Sequence, residues 1–337
     1  EKLKIKKFIK FSLSTKNIIN PKPHPEIYLR CIINLSTKPS NTLILEDSHN
    51  GRVAAKDAGA KLMPIKNLAD VNYKNITNYL KDAKENFKKI ETWDDDDLNI
   101  VVPMAGEGSR FSKAGFTFPK PLIEIHHKPM IQLVVENLGL KGSFIFIVKK
   151  EHLEKYNLKS FLNIVAPKCK IITIDKLTEG AACTVLLAKK YINNSKPLVI
   201  SNSDQFIEWN PSETMYNFST KQVDGGILTF NATHPKWSYA KIDKNNNVVK
   251  VAEKQVISNN ATVGIYYWKE GKDFVKYADQ MISKNIRVDN EFYVCPVFNQ
   301  AIKDKKKIII KEIDSMWGLG TPEDLDYFLK HYPKKNY

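Results

Sequence analysis

The feature that most constrains this chain is an apolar run, Ile100-Val101-Val102, that passes straight into Pro103-Met104-Ala105-Gly106-Glu107-Gly108-Ser109-Arg110-Phe111. Apolar strands that empty into a glycine turn belong to α/β sheets, where ligands gather at the carboxyl ends of the strands. Gly106 and Gly108 let the backbone turn tightly and bring its N–H groups close to an anion. Arg110 is placed to grip phosphate oxygens in bidentate fashion. Lys120, held between Pro119 and Pro121, offers a second fixed positive charge. A short GxG alone would fit a solvated surface turn equally well. The longer run is more specific, with Pro-Lys-Pro-Leu-Ile-Glu-Ile over 119–125 and a helix start at Lys128-Pro129-Met130-Ile131. It is not a Walker loop, which requires Gly-Lys-Ser/Thr, and Phe111 breaks the dinucleotide GxGxxG pattern.

From Asn99 onward, strands are predicted over 100–102, 143–148, 170–174, 197–200 and 226–230, and helices over 130–138, 181–191 and 274–284. That alternation predicts an α/β fold with a doubly wound, mostly parallel sheet. Upstream, Thr42-Leu43-Ile44-Leu45 reads as a strand, followed by a helix carrying Ala54, Ala55 and Ala58 that closes at Gly59. With a strand over 61–65 they make a second strand–helix–strand unit of parallel type. Between the two units, residues from about 78 to 97 read as a polar helix or tether ending in Asp94-Asp95-Asp96-Asp97, a solvated linker and not a metal site. The expected division is a partial unit over 1–80, a linker over 81–97 and a larger domain over 98–337.

Composition narrows the functional classes. With 337 residues the chain can bury sizeable cores, and no apolar run approaches the roughly 18 residues of a membrane span. A net charge of +15 invites a nucleic-acid reading, but only four of the 52 basic residues are arginine (Arg30, Arg52, Arg110 and Arg287). Base and phosphate recognition lean on arginine, and the lysines are scattered along the whole length, so nucleic acid is set aside as a partner. Cys31, Cys169, Cys183 and Cys295 form no CxxC pair. That argues against a zinc site or a disulfide framework and for a reducing, cytoplasmic setting. The chain begins at Glu1 and not Met, so a piece of a longer protein is expected, and no secretory leader is read at its start.

Residues 99–330 resemble the sugar-phosphate nucleotidyltransferases, that is, the NDP-sugar pyrophosphorylases and related cytidylyltransferases. Gly106, Gly108, Arg110, Pro119 and Lys120 carry the resemblance in the glycine loop, with Met104, Ala105 and Ser109 completing its nucleotide cradle. Thr178-Glu179-Gly180-Ala181-Ala182 resembles the loop and helix start that meet the base, and Ser201-Asn202-Ser203-Asp204 resembles the site of the metal-binding aspartate. Tyr239-Ala240-Lys241-Ile242, Glu253-Lys254 and Thr262-Val263-Gly264-Ile265-Tyr266 resemble the acceptor-site strands. Gly318-Leu319-Gly320-Thr321-Pro322-Glu323-Asp324-Leu325 resembles the closing turn.

The resemblance implies a nucleotide-diphospho-sugar transferase fold of GT-A-like type. It implies catalytic roles for Arg110, Lys120 and Asp204, nucleotide contacts from Gly180 and Ala181, and acceptor contacts from Glu253, Lys254 and Gly264. It implies Mg2+ on Asp204, which follows an apolar strand as ligand carboxylates do in α/β sheets. Many relatives carry a second aspartate where this chain has Gly318. Asp289, Glu291 or Asp314 could complete the shell, Glu291 being the first choice, or phosphates and water could do so. The implied activity is Mg2+-dependent transfer from a nucleoside triphosphate to a phosphorylated sugar or similar small acceptor, by one in-line displacement that releases pyrophosphate. A homo-oligomer is compatible with it.

A second resemblance covers residues 1–80. Pro21-Lys22-Pro23 and Leu45-Glu46-Asp47-Ser48-His49-Asn50-Gly51, with Ala54-Ala55 and Gly59, resemble the C-terminal part of haloacid-dehalogenase-like hydrolases of the phosphatase and phosphosugar-mutase branch. This implies a phosphate contact for Lys22 and Mg2+ contacts for Glu46 and Asp47. The nucleophile motif of that family is not among these residues. No hydrolase activity is expected from this chain alone, and a bifunctional parent protein is. Two other readings of the larger unit stay open. One is a nucleotide-sugar-dependent glycosyltransferase, although Ser203-Asp204-Gln205 is not a DxD motif; the other is a catalytically inactive nucleotide-binding module, which Gly318 keeps in play.

Overall fold

The computed structural model describes residues 8–37, 39–86, 93–220 and 223–332. Contacts divide the chain into two compact units, Glu1–Lys88 and Lys89–Tyr337.

In the smaller unit, α1 (Glu26–Asn34) precedes β1 (Leu43–Glu46), α2 (His49–Asp57), β2 (Lys61–Pro64) and α3 (Tyr73–Asn86). β1 and β2 pair in parallel, with Leu43 opposite Lys61 and Glu46 opposite Pro64. Parallel neighbours need a crossover, and α2 supplies it. Ser48 starts α2 by accepting a hydrogen bond from the Gly51 N–H at 3.1 Å. The small Ala55 and Ala58 then let α2 lie close to Ile44 and Leu62 in the core of the unit.

The larger unit opens with β3 (Trp93–Pro103), α4 (Ser109–Lys113), β4 (Glu124–Ile125), β5 (Lys128–Pro129) and α5 (Met130–Leu138). Next come β6 (Leu140–Lys149), α6 (Lys150–Lys155), α7 (Leu158–Val165), β7 (Lys170–Ile174), α8 (Ala181–Leu186) and α9 (Lys189–Ile192). They are followed by β8 (Leu198–Ser201), β9 (Gln205–Glu208), α10 (Pro211–Thr220), β10 (Gly225–Asn231), β11 (Ser238–Ile242), β12 (Val248–Glu253) and β13 (Asn260–Trp268). The last elements are α11 (Gly271–Ser283), α12 (Phe298–Lys303), β14 (Ile308–Glu312), β15 (Ser315–Gly318) and α13 (Pro322–His331).

A nine-stranded sheet organises this unit in the order β12-β11-β13-β8-β3-β6-β7, with β10 also on β13 and β14 on β10. β8, β3, β6 and β7 are mutually parallel, and β13 joins β8 antiparallel. Successive residues of β3 point to opposite faces. Val101 joins Ile145, Ile147 and Ile200 beneath α8, α11 and α12, whereas Ile100 and Val102 join Phe144, Phe146 and Val199 beneath α5, α7 and α10. Helices on both faces make the sheet doubly wound, and a strand covered on both sides must be apolar at every position. α5 keeps its apolar positions on the core side and ends at Gly139, whose φ of 59° places it in the left-handed region that closes helices.

Two expectations need correction. In the stretch 81–97, α3 runs to Asn86 in keeping with a polar helix, but Asp94–Asp97 lie inside β3 and not in a linker, while 87–92 fall outside the described residues. The strand begins early because the Trp93 N–H donates to the Gly139 carbonyl at 2.9 Å and Asp94 pairs with Lys141. Lysines meet the acidic charge, Lys141 on Asp94 at 3.0 Å and Lys196 on Asp97 at 2.7 Å. The helix expected over 181–191 is divided into α8 and α9.

Candidate active site

Two adjoining cavities of about 610 and 670 Å3 open at the carboxyl ends of β3 and β8. Gly106, Lys120, Asp204, Glu253, Tyr266 and Glu291 line both. Met104, Ala105, Gly180 and Ala181 wall the first; Gly108, Ser109, Arg110, Lys254 and Gly264 wall the second. Arg110, Lys120, Asp204, Glu291 and the loop, base-side and acceptor-side residues named above are therefore brought to one cleft, whereas Asp289 and Asp314 line neither cavity.

The glycines of the loop have different reasons to be there. Gly108 sits at φ 63° ahead of α4, a left-handed turn that also brings it against Lys120, whose Cβ would lie 3.4 Å from an added Cβ. Gly106 has no atom within 4 Å of a Cβ position. Phe111, 1% exposed, anchors the turn by an edge contact with Phe116 at 5.1 Å. Arg110 remains exposed on α4 at the cavity wall.

Lys120 Nζ donates to Asp204 Oδ2 at 2.7 Å, with both side chains about a quarter exposed. The closing turn fastens to the same aspartate, since the Leu319 N–H donates to the Asp204 carbonyl at 2.8 Å. A Cβ on Gly320 would lie 2.8 Å from Asp204 Oδ2, so a side chain there would have to displace that carboxylate oxygen.

The opposite wall is a break in the edge of β13. β11 meets that edge at Ala261 and β8 takes it up again at Ile265. In between, Gly264 adopts φ 78° and its carbonyl accepts from the Asn202 N–H at 3.0 Å. A side chain at 264 would strike Asn202 Nδ2 at 2.2 Å, so the bulge demands glycine. Glu253 ends β12 and accepts from Ser238 Oγ; burial pushes its carboxyl above the usual carboxylate range. Burial likewise raises the Tyr266 hydroxyl, which pairs with Thr262 Oγ1 at 3.1 Å, and the Cys295 thiol. Lys254 donates to Asp289 at 2.7 Å and to the Tyr293 hydroxyl at 2.8 Å, contacts that hold its ammonium charged.

The loop 178–182 is locked to the segment that carries Glu291. The Phe292 N–H donates to the Glu179 carbonyl at 2.8 Å, and the Ala182 N–H donates to the Phe292 carbonyl at 2.9 Å. Gly180, at φ 132°, lies so near that a Cβ would meet the Phe292 nitrogen at 2.5 Å. Arg287 pairs with Glu179 and covers the Phe292 ring at 4.0 Å. Of the three carboxylates considered beside Asp204, Asp289 is held by Lys254, Glu291 is an exposed wall residue, and Asp314 lies outside both cavity linings. Sequence reasoning passed over Gln205, Lys236 and Asp324, which also line the second cavity. Among the described residues no group of three or more His, Cys, Asp or Glu is arranged to hold a metal ion.

In the smaller unit Lys22 Nζ lies 2.6 Å from Glu46, which also accepts from Tyr28 and from the Ser48 N–H and hydroxyl at 3.1 and 2.7 Å. Burial pushes the Glu46 carboxyl up, but these donors outweigh it and hold it at about 2. Asp47 is exposed, and its carbonyl accepts from Arg52 at 2.9 Å. Among the described residues no helix is long and apolar enough to cross a membrane.

A mostly parallel sheet that presents a glycine loop, a lysine–aspartate pair and an acidic wall at its carboxyl edge has the architecture of a nucleotide-handling class. The nucleotidyl transferase family profile matches residues 100–325, and the chain belongs to that family. A haloacid dehalogenase-like hydrolase profile matches residues 1–65. The chain is 29% identical over 234 residues to the bifunctional sugar-1-phosphate nucleotidylyltransferase/acetyltransferase of Sulfurisphaera tokodaii, covering 67% of this chain and 53% of that protein. It is 26% identical over 235 residues to the bifunctional protein GlmU of Methanocaldococcus jannaschii, covering 68% and 52%. The chain thus spans about half the length of these curated relatives. Its fold is similar to that of the nucleoside-diphosphate-sugar pyrophosphorylase from Vibrio cholerae RC9, with a TM-score of 0.60 at 24% identity, over 69% of this chain and 100% of that one.

Proposed function

We propose that the larger unit transfers a nucleotidyl group from a nucleoside triphosphate to the phosphate of a small acceptor of the sugar-phosphate class, releasing pyrophosphate. The observation that carries this reading is the single cleft lined by the 106–110 loop, the Lys120–Asp204 pair and the Glu253–Lys254 wall. On this reading the loop N–H groups and Arg110 hold the outer phosphates and Lys120 neutralises charge near the reacting phosphorus. Lys254 meets the acceptor phosphate, and Glu253 receives an acceptor hydroxyl. An acceptor phosphate oxygen attacks the α-phosphorus; that P–O bond forms as the bond to the β-phosphate oxygen breaks, and pyrophosphate carries off the electron pair. Positioning and charge neutralisation do most of the work in such transfers. The cleft thiol, Cys295, is held neutral by burial, which agrees with a reaction that needs no protein nucleophile.

Magnesium fits the donor set. Asp204 offers carboxylate oxygen only, and with no three-residue cluster among the described residues, phosphate oxygens and water would complete the octahedral shell. Bound there, the ion would neutralise the triphosphate and orient it.

The test is pyrophosphate release from ATP, CTP, GTP, UTP and dTTP, each with Mg2+ and a panel of sugar 1-phosphates and other phosphorylated small molecules. Release from at least one pair, abolished in Asp204→Ala, is expected. No release from any pair, or release of a nucleoside diphosphate from a nucleotide sugar instead, overturns the reading. For the smaller unit we propose a corner in which Lys22 would contact phosphate and Glu46 with Asp47 would meet Mg2+, belonging to a bifunctional parent. A longer form of the chain that performs no phosphoryl chemistry on sugar phosphates would count against it.

A further inference from the structure

β15 and β9 form a two-stranded ribbon in which Gly318 stands opposite Gln205. Asp204 precedes that pair, and its Oδ2 lies 2.8 Å from the Cβ position of Gly320. The room beside Gly318 is taken by another carboxylate, because a Cβ on Gly318 would lie 3.3 Å from both Cγ and Oδ2 of Asp324. The two aspartates therefore lie against the same three residues, 318–320, and line the same cavity. Asp324 is not used to start its own helix, since Thr321 Oγ1 accepts the Asp324 N–H at 3.1 Å.

Each carboxylate is met by a lysine of the cavity wall, Asp204 by Lys120 at 2.7 Å and Asp324 by Lys236 at 3.1 Å. An independent sign of a ligand is Gln205. It is 3% exposed, it lines this cavity, and its Nε2 has no hydrogen-bond partner. A buried donor of this kind is costly unless an acceptor reaches it, and a phosphate oxygen is such an acceptor.

We infer that Asp324 is the second carboxylate for the divalent cation that accompanies the triphosphate, with Lys120 and Lys236 as counter-ions until the phosphates arrive. This rests on the proposed function and names a residue of the same site. It explains how the cleft can hold a hard cation although position 318 carries no side chain. It also means that the cation binds with the triphosphate and poorly alone, because the lysines need phosphate oxygens before they release the carboxylates.

Calorimetric titration of ATP, CTP, GTP, UTP and dTTP, each in Mg2+ and in EDTA, tests the inference, the tightest binder being carried into the variants. The expected result is that Mg2+ tightens binding and that Asp324→Asn removes about tenfold or more of that gain. Affinity in EDTA should not fall, since the amide removes a carboxylate that competes with phosphate for Lys236, and retained binding also reports an intact fold. Adding Gly318→Asp to Asp324→Asn should restore the Mg2+ dependence. If Asp204→Asn abolishes the Mg2+ gain while Asp324→Asn leaves it intact, the inference falls and the proposed function stands. Equal losses in Mg2+ and in EDTA for Asp324→Asn also overturn it. If no triphosphate binds under either condition, the proposed function fails and the inference with it.

Discussion

Replacing Gly106 by alanine separates the two reasons a loop has for glycine. The position has no atom within 4 Å of a Cβ, and its φ is not left-handed. Alanine there meets neither clash nor strain, and it narrows the unfolded ensemble, so stability should hold or rise by about 0.4–1 kcal/mol. For a unit of this size that is a melting-temperature rise of about 1–4 °C. The nucleotide should bind worse. The proposed function sets phosphate oxygens against the N–H groups of this loop, and a methyl group would hold them off. Losing one hydrogen bond to a charged group costs about 1.5–3 kcal/mol, which is a loss of about 10- to 150-fold in affinity. Thermal unfolding and calorimetric titration of the triphosphate read the two quantities separately. An unchanged Kd would show that the loop does not cradle phosphate. A fall of several degrees in Tm would show a structural demand for glycine that the geometry does not contain.

Gly180→Ala should behave in the opposite way. Its φ of 132° and ψ of 174° belong to glycine, and the Phe292 backbone stands 2.5 Å from the added carbon, so stability should fall by about 3 kcal/mol or more along with nucleotide affinity, as read by denaturant unfolding. Asn137 is buried on α5, donating to the Ile207 carbonyl and accepting from the Ile207 N–H, both at 2.8 Å. Asn137→Leu strands both groups, and the expected cost of about 2–4 kcal/mol should lower Tm by about 5–15 °C. Glu253 has its carboxyl raised by burial, so its ionisation weakens the fold as pH climbs through that raised value and has no effect below the ordinary value of 4.5. Glu253→Gln should therefore be more stable than the parent at about pH 8, with the difference vanishing toward about pH 4 in urea titrations; a constant difference would contradict the assignment.

What was legible in the sequence follows from how each element is buried. A strand covered on both faces needs an unbroken apolar run, and residues 100–102 carry one; a helix packed on most sides keeps its open stripe narrow, and α5 has Gln132 and Glu136 one turn apart on that stripe. The acidic start of β3 had neither pattern. Trp93 and Asp94 pair with β6 and Asp95–Asp97 follow in an irregular part of the strand before pairing resumes at Asn99, a tertiary cause that overrides weak local preference. The break after Leu186 leaves no glycine or proline to announce it. Cleft residues could be found because each sits in a short motif. Their supports could not: Lys254–Asp289, Lys236–Asp324 and Arg287–Glu179 join positions 35, 88 and 108 residues apart. Asp324 reads in the sequence only as part of the closing turn, because its partner Lys236 lies 88 residues away.

The lock between Gly180 and Phe292 bears on how such a protein can be altered. Phe292 is bonded to the loop assigned to the base, and its chain neighbours Glu291 and Tyr293 line the cleft, with Tyr293 holding the acceptor-side lysine. On the proposed function, base preference and acceptor preference would then be coupled. A variant selected for a new nucleotide through changes at 178–182 would shift the 291–293 segment and carry a changed acceptor range with it. A library that varies both segments together should then return more working variants than one built on either segment alone.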